Sequence, residues 1–192
     1  MKDYGLVSII TPTWACAPFI GETIRSVLSQ TYPNWELLIQ DDCSTDGTFE
    51  VVERLRAECP EQRDKIKYAC NPKNSGAAIT RNNALRRAKG RWIAFLDSDD
   101  LWLPEKLEKQ LRFMVENNYA FTYHEYMETS EEGKDLGVYV SGIPKVSKFQ
   151  MYACCWPGCL AVMYDAEKIG LIQIKDVRKN NDTAMWLKVV QK

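Results

Sequence analysis

Short apolar runs alternate with helical repeats along the first 117 residues, and this rhythm restricts the fold more than any other feature of the chain. Residues 6–11 read as a strand. Residues 19–30 then place Ile20, Ile24, Val27 and Leu28 on one face of a helix. Residues 36–40 form a second strand pattern, followed by a helix over 45–58 with Phe49, Val52 and Leu55 inward. Residues 66–70 are a third strand, and 77–88 a third helix with Gly90 as its C-terminal signal. Residues 92–96 are a fourth strand. Pro104 opens the next helix, where Leu107, Leu111, Met114 and Val115 repeat the helical spacing. Strand–helix units in series predict parallel strands with helices on both faces, an α/β fold. After Asn118 the rhythm breaks. Strands are expected at 120–126, 138–141 and 160–164, and a final helix at about 182–191. The expected organisation is one domain over 1–192, with a regular half (1–117) and a more variable half (118–192).

Charge and cysteine usage narrow the function classes. The chain has 25 Lys and Arg against 26 Asp and Glu, a formal net charge of -1, which excludes a strongly basic nucleic-acid binder. No apolar run approaches the roughly 18–20 residues of a membrane span, and the first residues lack a signal-peptide stretch. The seven cysteines are an odd number and mostly scattered. The Cys154, Cys155 and Cys159 cluster lacks the paired spacing of a zinc site, and the lone His124 reads as structural. A cytoplasmic protein with small buried thiols is the expectation.

In an open parallel sheet, ligands bind at the carboxyl ends of the strands. The first strand ends in Pro12, Thr13 and Trp14, the second in Asp41 and Asp42, and the fourth in Asp97, Ser98, Asp99 and Asp100. Carboxylates gathered at one edge repel each other unless a cation offsets their charge. Mg²⁺ or Mn²⁺ bound with a diphosphate would do so. Helix caps and turns are the plainer reading of either cluster alone. Neither a G-x-G-x-x-G fingerprint nor a phosphate loop follows the first strand, so a diphosphate would depend on the metal. Trp14 could stack on a base or simply pack, and Asp42 could accept the N–H of a pyrimidine or guanine ring.

Three segments, VSIITPTW at 7–14, ELLIQDDCSTD at 36–46 and FLDSDD at 95–100, resemble the signatures of family 2 glycosyltransferases with the GT-A fold. NSGAAITRNN at 74–83 is similar to the family's helix before its D-x-D strand. The likeness is specific over about residues 6–112. It implies inverting transfer of a sugar from a nucleotide diphosphate donor, UDP-sugar favoured, with residues 1–117 holding the donor and 118–192 the acceptor. It implies nucleotide contacts from Pro12, Trp14, Asp42, Arg81 and Asp97, and Mn²⁺ or Mg²⁺ on Asp99. The acceptor it implies is a polysaccharide or lipid-linked glycan, with peripheral membrane association an option. The chain departs from the common pattern at Trp14 (usually tyrosine), Ala15 (asparagine) and Cys43 (glycine).

Inverting transfer needs a carboxylate to take the proton of the attacking hydroxyl. NNDTAMW at 180–186 resembles the family's acidic pair followed by a helix tryptophan. Asn181 replaces the acidic partner and Asp182 remains as the expected base. The plainer alternative makes Asp182 a helix N-cap, with Asp165, Glu167 and Asp176 as competing bases. WPGC at 156–159 could line the acceptor pocket or pack. Larger members carry further helices, and processive ones membrane spans and a Q-x-x-R-W motif. This sequence, ending at Lys192, is compatible with a truncated or a short natural form. Rival readings are a receiver domain, a D-x-D phosphatase and a non-catalytic nucleotide- or carbohydrate-binding module.

Overall fold

The computed structural model describes residues 2–131, 133–154, 157–177 and 179–192. The strand–helix alternation builds a six-stranded sheet in the order β3 (Ile66–Cys70), β2 (Trp35–Asp41), β1 (Val7–Thr13), β4 (Trp92–Phe95), β8 (Met163–Asp165) and β5 (Phe121–Thr122). Strands β1, β2, β3 and β4 run parallel. Strand β8 lies antiparallel between β4 and the two-residue β5.

Both faces of the sheet are covered, so the strands read as continuous apolar runs. On one face Val7, Ile9, Leu37, Ile39 and Ala94 pack under α1 (Ile20–Leu28), α2 (Thr48–Glu58) and α4 (Lys106–Glu116). Alternate residues Ile10, Leu38, Ile93 and Phe95 face α3 (Ala77–Arg87) and α7 (Asn181–Val189). A separate two-stranded ribbon, β6 (Tyr126–Thr129) and β7 (Asp135–Val140), and the short helices α5 (Lys148–Ala153) and α6 (Ala166–Ile169) complete the element list.

Three local expectations change. Phe49 is half exposed and packs at a tilt against Tyr68, with ring centroids 5.1 Å apart, because the α2 face it occupies overhangs the sheet edge at β3. Gly90 does not cap α3, which ends at Ala88 in extended backbone. A Cβ there would lie 2.6 Å from the carbonyl oxygen of Leu6, so the glycine is required by close approach to β1. Helix α4 starts at Lys106, two residues after Pro104, and the Pro104 carbonyl instead accepts the amide of Thr31.

The register carries the chemistry to one edge. Thr13 pairs with Asp41, and Asp41 with Cys70. The Asp42 amide donates to the Thr13 carbonyl at 2.8 Å, and the Leu96 amide to the Ile10 carbonyl at 3.1 Å. The residues after β1, β2 and β4 therefore emerge side by side.

Candidate active site

A cleft of about 860 Å³ opens at that edge. Its walls include Pro12, Trp14, Asp42, Arg81, Asp97, Asp99 and Asp182, so every site residue expected from the sequence lies on one cavity. Thr13, Asn74, Gly76, Ala77, Thr80, Ser98 and Asn181 line it too.

Trp14 is 62% exposed, which sets aside the packing role and leaves an apolar ring facing solvent at the cleft. The loop behind it is fixed by the β2–α2 turn. The amides of Ala15 and Ala17 donate to Ser44 Oγ and Asp46 Oδ2, both at 2.9 Å.

The two aspartates after β2 divide their work. Asp41 is buried and accepts from the Ser44 amide and the Tyr68 hydroxyl, so it shapes the turn and does not face the ligand cleft. Asp42 accepts from Asn71 Nδ2 and the Ser75 and Gly76 amides, each at 2.7 Å. Burial opposes its charge, but these hydrogen bonds outweigh it and hold the carboxyl below its usual range. Asn71 is the hub here, also joined to Gln40, Thr80 and Asn83. Sequence reading missed it, because a loop asparagine before a proline looks like an ordinary turn former.

Arg81 is buried in the first half of α3. One terminal nitrogen donates to Asp97 Oδ1 at 2.9 Å and the other to Asn181 Oδ1. Burial works against the guanidinium charge, and negative neighbours including Asp97 and Asp182 more than compensate. Asp100 feels the opposite balance. Burial first, then the charges of Asp97 and Asp99, push its carboxyl up to about 7. Such crowding of hard oxygen donors suits Mg²⁺ or Mn²⁺. Among the described residues no set of three or more His, Cys, Asp or Glu side chains forms a ready cage. Asp97 and Asp99 on the cleft wall are the carboxylates that could hold such a cation.

Asp182 lies in the first turn of α7 and is not the cap. Asn180 holds that position, in left-handed backbone. Trp186, one turn on, is buried edge-on to Phe95 of β4 at 4.8 Å between centroids and donates to the Pro157 carbonyl. This docks α7 with Asp182 toward the cleft. Among the competing carboxylates, Asp165 pairs with Trp92 at the opposite end of β4, binds Arg91 at 2.8 Å and caps α6. Glu167 joins the same Arg91, at 3.4 Å. Asp176 lines an adjoining cleft with Lys73 and Asn74. Trp156 and Cys155 lie outside the described residues, and Cys159 is buried beside Arg81. Burial and then the neighbouring Lys106 push His124 down to about 4.

Residues 8–161 match the sequence profile described as glycosyl transferase family 2. The chain belongs to that family. Family membership makes it a nucleotide-sugar glycosyltransferase. It is 42% identical over 187 residues to the putative teichuronic acid biosynthesis glycosyltransferase TuaG of Bacillus subtilis, spanning 97% of this chain and 73% of that protein. It is 40% identical to the UDP-Glc:alpha-D-GlcNAc-diphosphoundecaprenol beta-1,3-glucosyltransferase WfgD of Escherichia coli, over 100% of this chain and 72% of that one. In three dimensions it resembles S. aureus TarS, with TM-score 0.72, 24% identity, and coverage of 96% of this chain and 33% of that one. It also resembles the mannosyltransferase PcManGT from Pyrobaculum calidifontis, solved with GDP-Man and Mn²⁺. There the TM-score is 0.69, the identity 20%, and the coverage 93% of this chain and 50% of that one. The fold is the GT-A type. No helix among the described residues is long and apolar enough to cross a membrane.

Proposed function

We propose that this glycosyltransferase moves a sugar from a UDP-sugar to a glycan or lipid-linked acceptor with inversion, assisted by Mn²⁺ or Mg²⁺. The observation that carries the reading is the convergence of Trp14, Asp42, Arg81, Asp97, Asp99 and Asp182, from separate elements, on one cleft. Trp14 stacks on the uracil. Asp42, whose Oδ2 accepts from the Gly76 amide, takes the ring N–H. Asp97 approaches the ribose, with Pro12 and Arg81 beside the nucleotide. A divalent cation on Asp99 would neutralise charge on the departing diphosphate. Asp182 removes the proton of the acceptor hydroxyl as that oxygen attacks the anomeric carbon and the bond to the diphosphate oxygen breaks.

The donor choice is supported by WfgD, whose name gives UDP-Glc, and by a TarS structure in complex with UDP. The acceptor choice is supported by the diphosphoundecaprenol in WfgD's name and the teichuronic acid in TuaG's. Acceptors of that kind would bring residues 118–192 to a membrane surface. The described cysteines are all free, as in the reducing cytoplasm.

Thermal shifts with UDP, GDP, dTDP and CMP, with and without Mn²⁺, test the donor site. UDP with Mn²⁺ at ~100 times its dissociation constant should stabilise by about 2.7 kcal/mol. Asp99→Asn should remove the metal-dependent part and keep the fold. A panel in which no nucleotide stabilises, or in which Asp99→Asn responds like the parent, would overturn the assignment.

A further inference from the structure

Helix α7 brings the proposed base to the cleft, yet its own N-terminus is weakly held. It has nine residues, and Asn180 at the cap makes no side-chain cap hydrogen bond. Isolated helices of this length are marginal in water, so tertiary contacts must fix it. Trp186 anchors its second half in the core. In the first turn, which carries Asp182, Ala184 packs on the core and the Asn181 side-chain carbonyl accepts from Arg81.

We infer that Asn181 is a positioning residue, which holds the first turn of α7 against the donor half through an Asp97–Arg81–Asn181 strut. The inference rests on the proposed function, because it is the base role of Asp182 that makes the placement matter. Arg81 suits the task. It is buried on α3, and its two terminal nitrogens reach a strand-end carboxylate and a helix in the other half of the chain. A planar guanidinium fixes both partners in one plane, which a flexible ammonium would not. An amide at position 181 also suits the electrostatics. Asp97 already matches the guanidinium charge, and a neutral neighbour adds no further negative charge beside Asp182. The strut runs along the cleft wall, since Asp97, Arg81 and Asn181 all line it. The base is thereby referenced to a residue of the donor site.

Three measurements on Asn181→Ala and Asn181→Asp test this. They are hydrogen exchange over residues 181–186, UDP affinity in Mn²⁺, and kcat and KM for UDP-glucose turnover with water as acceptor. Asn181→Ala should speed exchange in that segment about tenfold. It should lower kcat about tenfold or more through misplacement of Asp182, while UDP affinity and KM stay within about twofold. Asn181→Asp keeps the acceptor oxygen and should recover protection, with kcat recovered in part because it adds a negative charge beside Asp182. Wild-type exchange in Asn181→Ala overturns the strut whether or not UDP-glucose is turned over. So does a loss confined to KM and UDP affinity, or failure of Asn181→Asp to recover protection. If the parent neither binds UDP nor turns over UDP-glucose, the donor reading fails, and exchange still decides whether the strut exists.

Discussion

Trp14 and Asp42 are each followed by a residue in left-handed backbone, Ala15 at φ 50° and Cys43 at φ 71°. Family resemblance expects asparagine and glycine at these positions, the residue types that tolerate this conformation best. The chain turns sharply after β1 and after β2 in order to project Trp14 outward and fold Asp42 under the loop at 71–76, and it does so with side chains that make the turns costlier. Ala15→Asn and Cys43→Gly should therefore each stabilise the protein by about 0.5 kcal/mol. Part of the Cys43→Gly gain is offset by the greater freedom of glycine in the unfolded chain. For a domain of this size that is about 1–2 °C in thermal unfolding. An unchanged or lowered midpoint in both variants would refute the account. The same residues show what the sequence could reveal of the site. Trp14, Asp42 and the Asp97–Asp100 run were legible because they follow apolar strands, and a parallel sheet gathers strand ends. Asn71 and the Arg81–Asn181 bond were not, because those hydrogen bonds join residues far apart in the chain and leave no local pattern.

Elements with strong periodicity fell within a few residues of expectation, namely β1 to β4 and α1 to α4. Two-sided burial and 3.6-residue repeats are local signals. The later elements were harder to read. β5 has two residues and β8 three, too short for any period, and each exists only by pairing with its neighbours. The strand expected at 160–164 begins instead with a tight helical turn over Cys159–Ala161. Helix α7 lies where the final helix is expected, and its packing explains the NNDTAMW pattern at its start. Residues four apart share a helix face, so seating Trp186 against Phe95 directs Asp182 to the end of β4. Trp186→Ala should cost about 3–5 kcal/mol, as for other buried tryptophans. In the fraction that stays folded at low temperature, transfer should fall much further than UDP affinity, since Trp14, Asp42 and Asp99 sit on other elements. Equal losses in both would mean that α7 shapes the donor site as a whole.

Across the whole molecule, the two ends of the parallel strands have separate duties. The carboxyl end carries the cleft with its exposed Trp14 and crowded aspartates. The amino end is closed by a polar cluster that the cleft does not touch. There Glu36, buried on β2, accepts from Ser8 Oγ at 2.6 Å, Lys67 Nζ at 2.5 Å and the Lys89 amide at 2.8 Å. Ser8 Oγ in turn accepts from the Gly90 amide at 2.8 Å, where the chain passes too close to β1 for any side chain. Burial alone would raise the Glu36 carboxyl, but Lys67, Ser8 and the Lys89 amide outweigh it, so its folded pKa lies below the ordinary 4.5. Between the folded value and 4.5 the unfolded chain binds the extra proton, so stability rises with pH across that window. The contribution is therefore complete above about pH 4.5 and is lost as pH falls through the folded value. Glu36→Gln keeps the shape but replaces an accepting oxygen with an amide donor facing other donors. It should cost about 1–3 kcal/mol at neutral pH. The gap between parent and variant in denaturant unfolding should narrow as pH falls below about 4.5. UDP affinity in Mn²⁺, measured where both are folded, should agree within about twofold, because the charged cleft lies at the far end of the strands. A gap independent of pH would show that the charge of Glu36 contributes nothing. A fall in UDP affinity comparable to that of Asp99→Asn would show that the two ends are coupled through β1 and β2, and that stability and donor binding share one network.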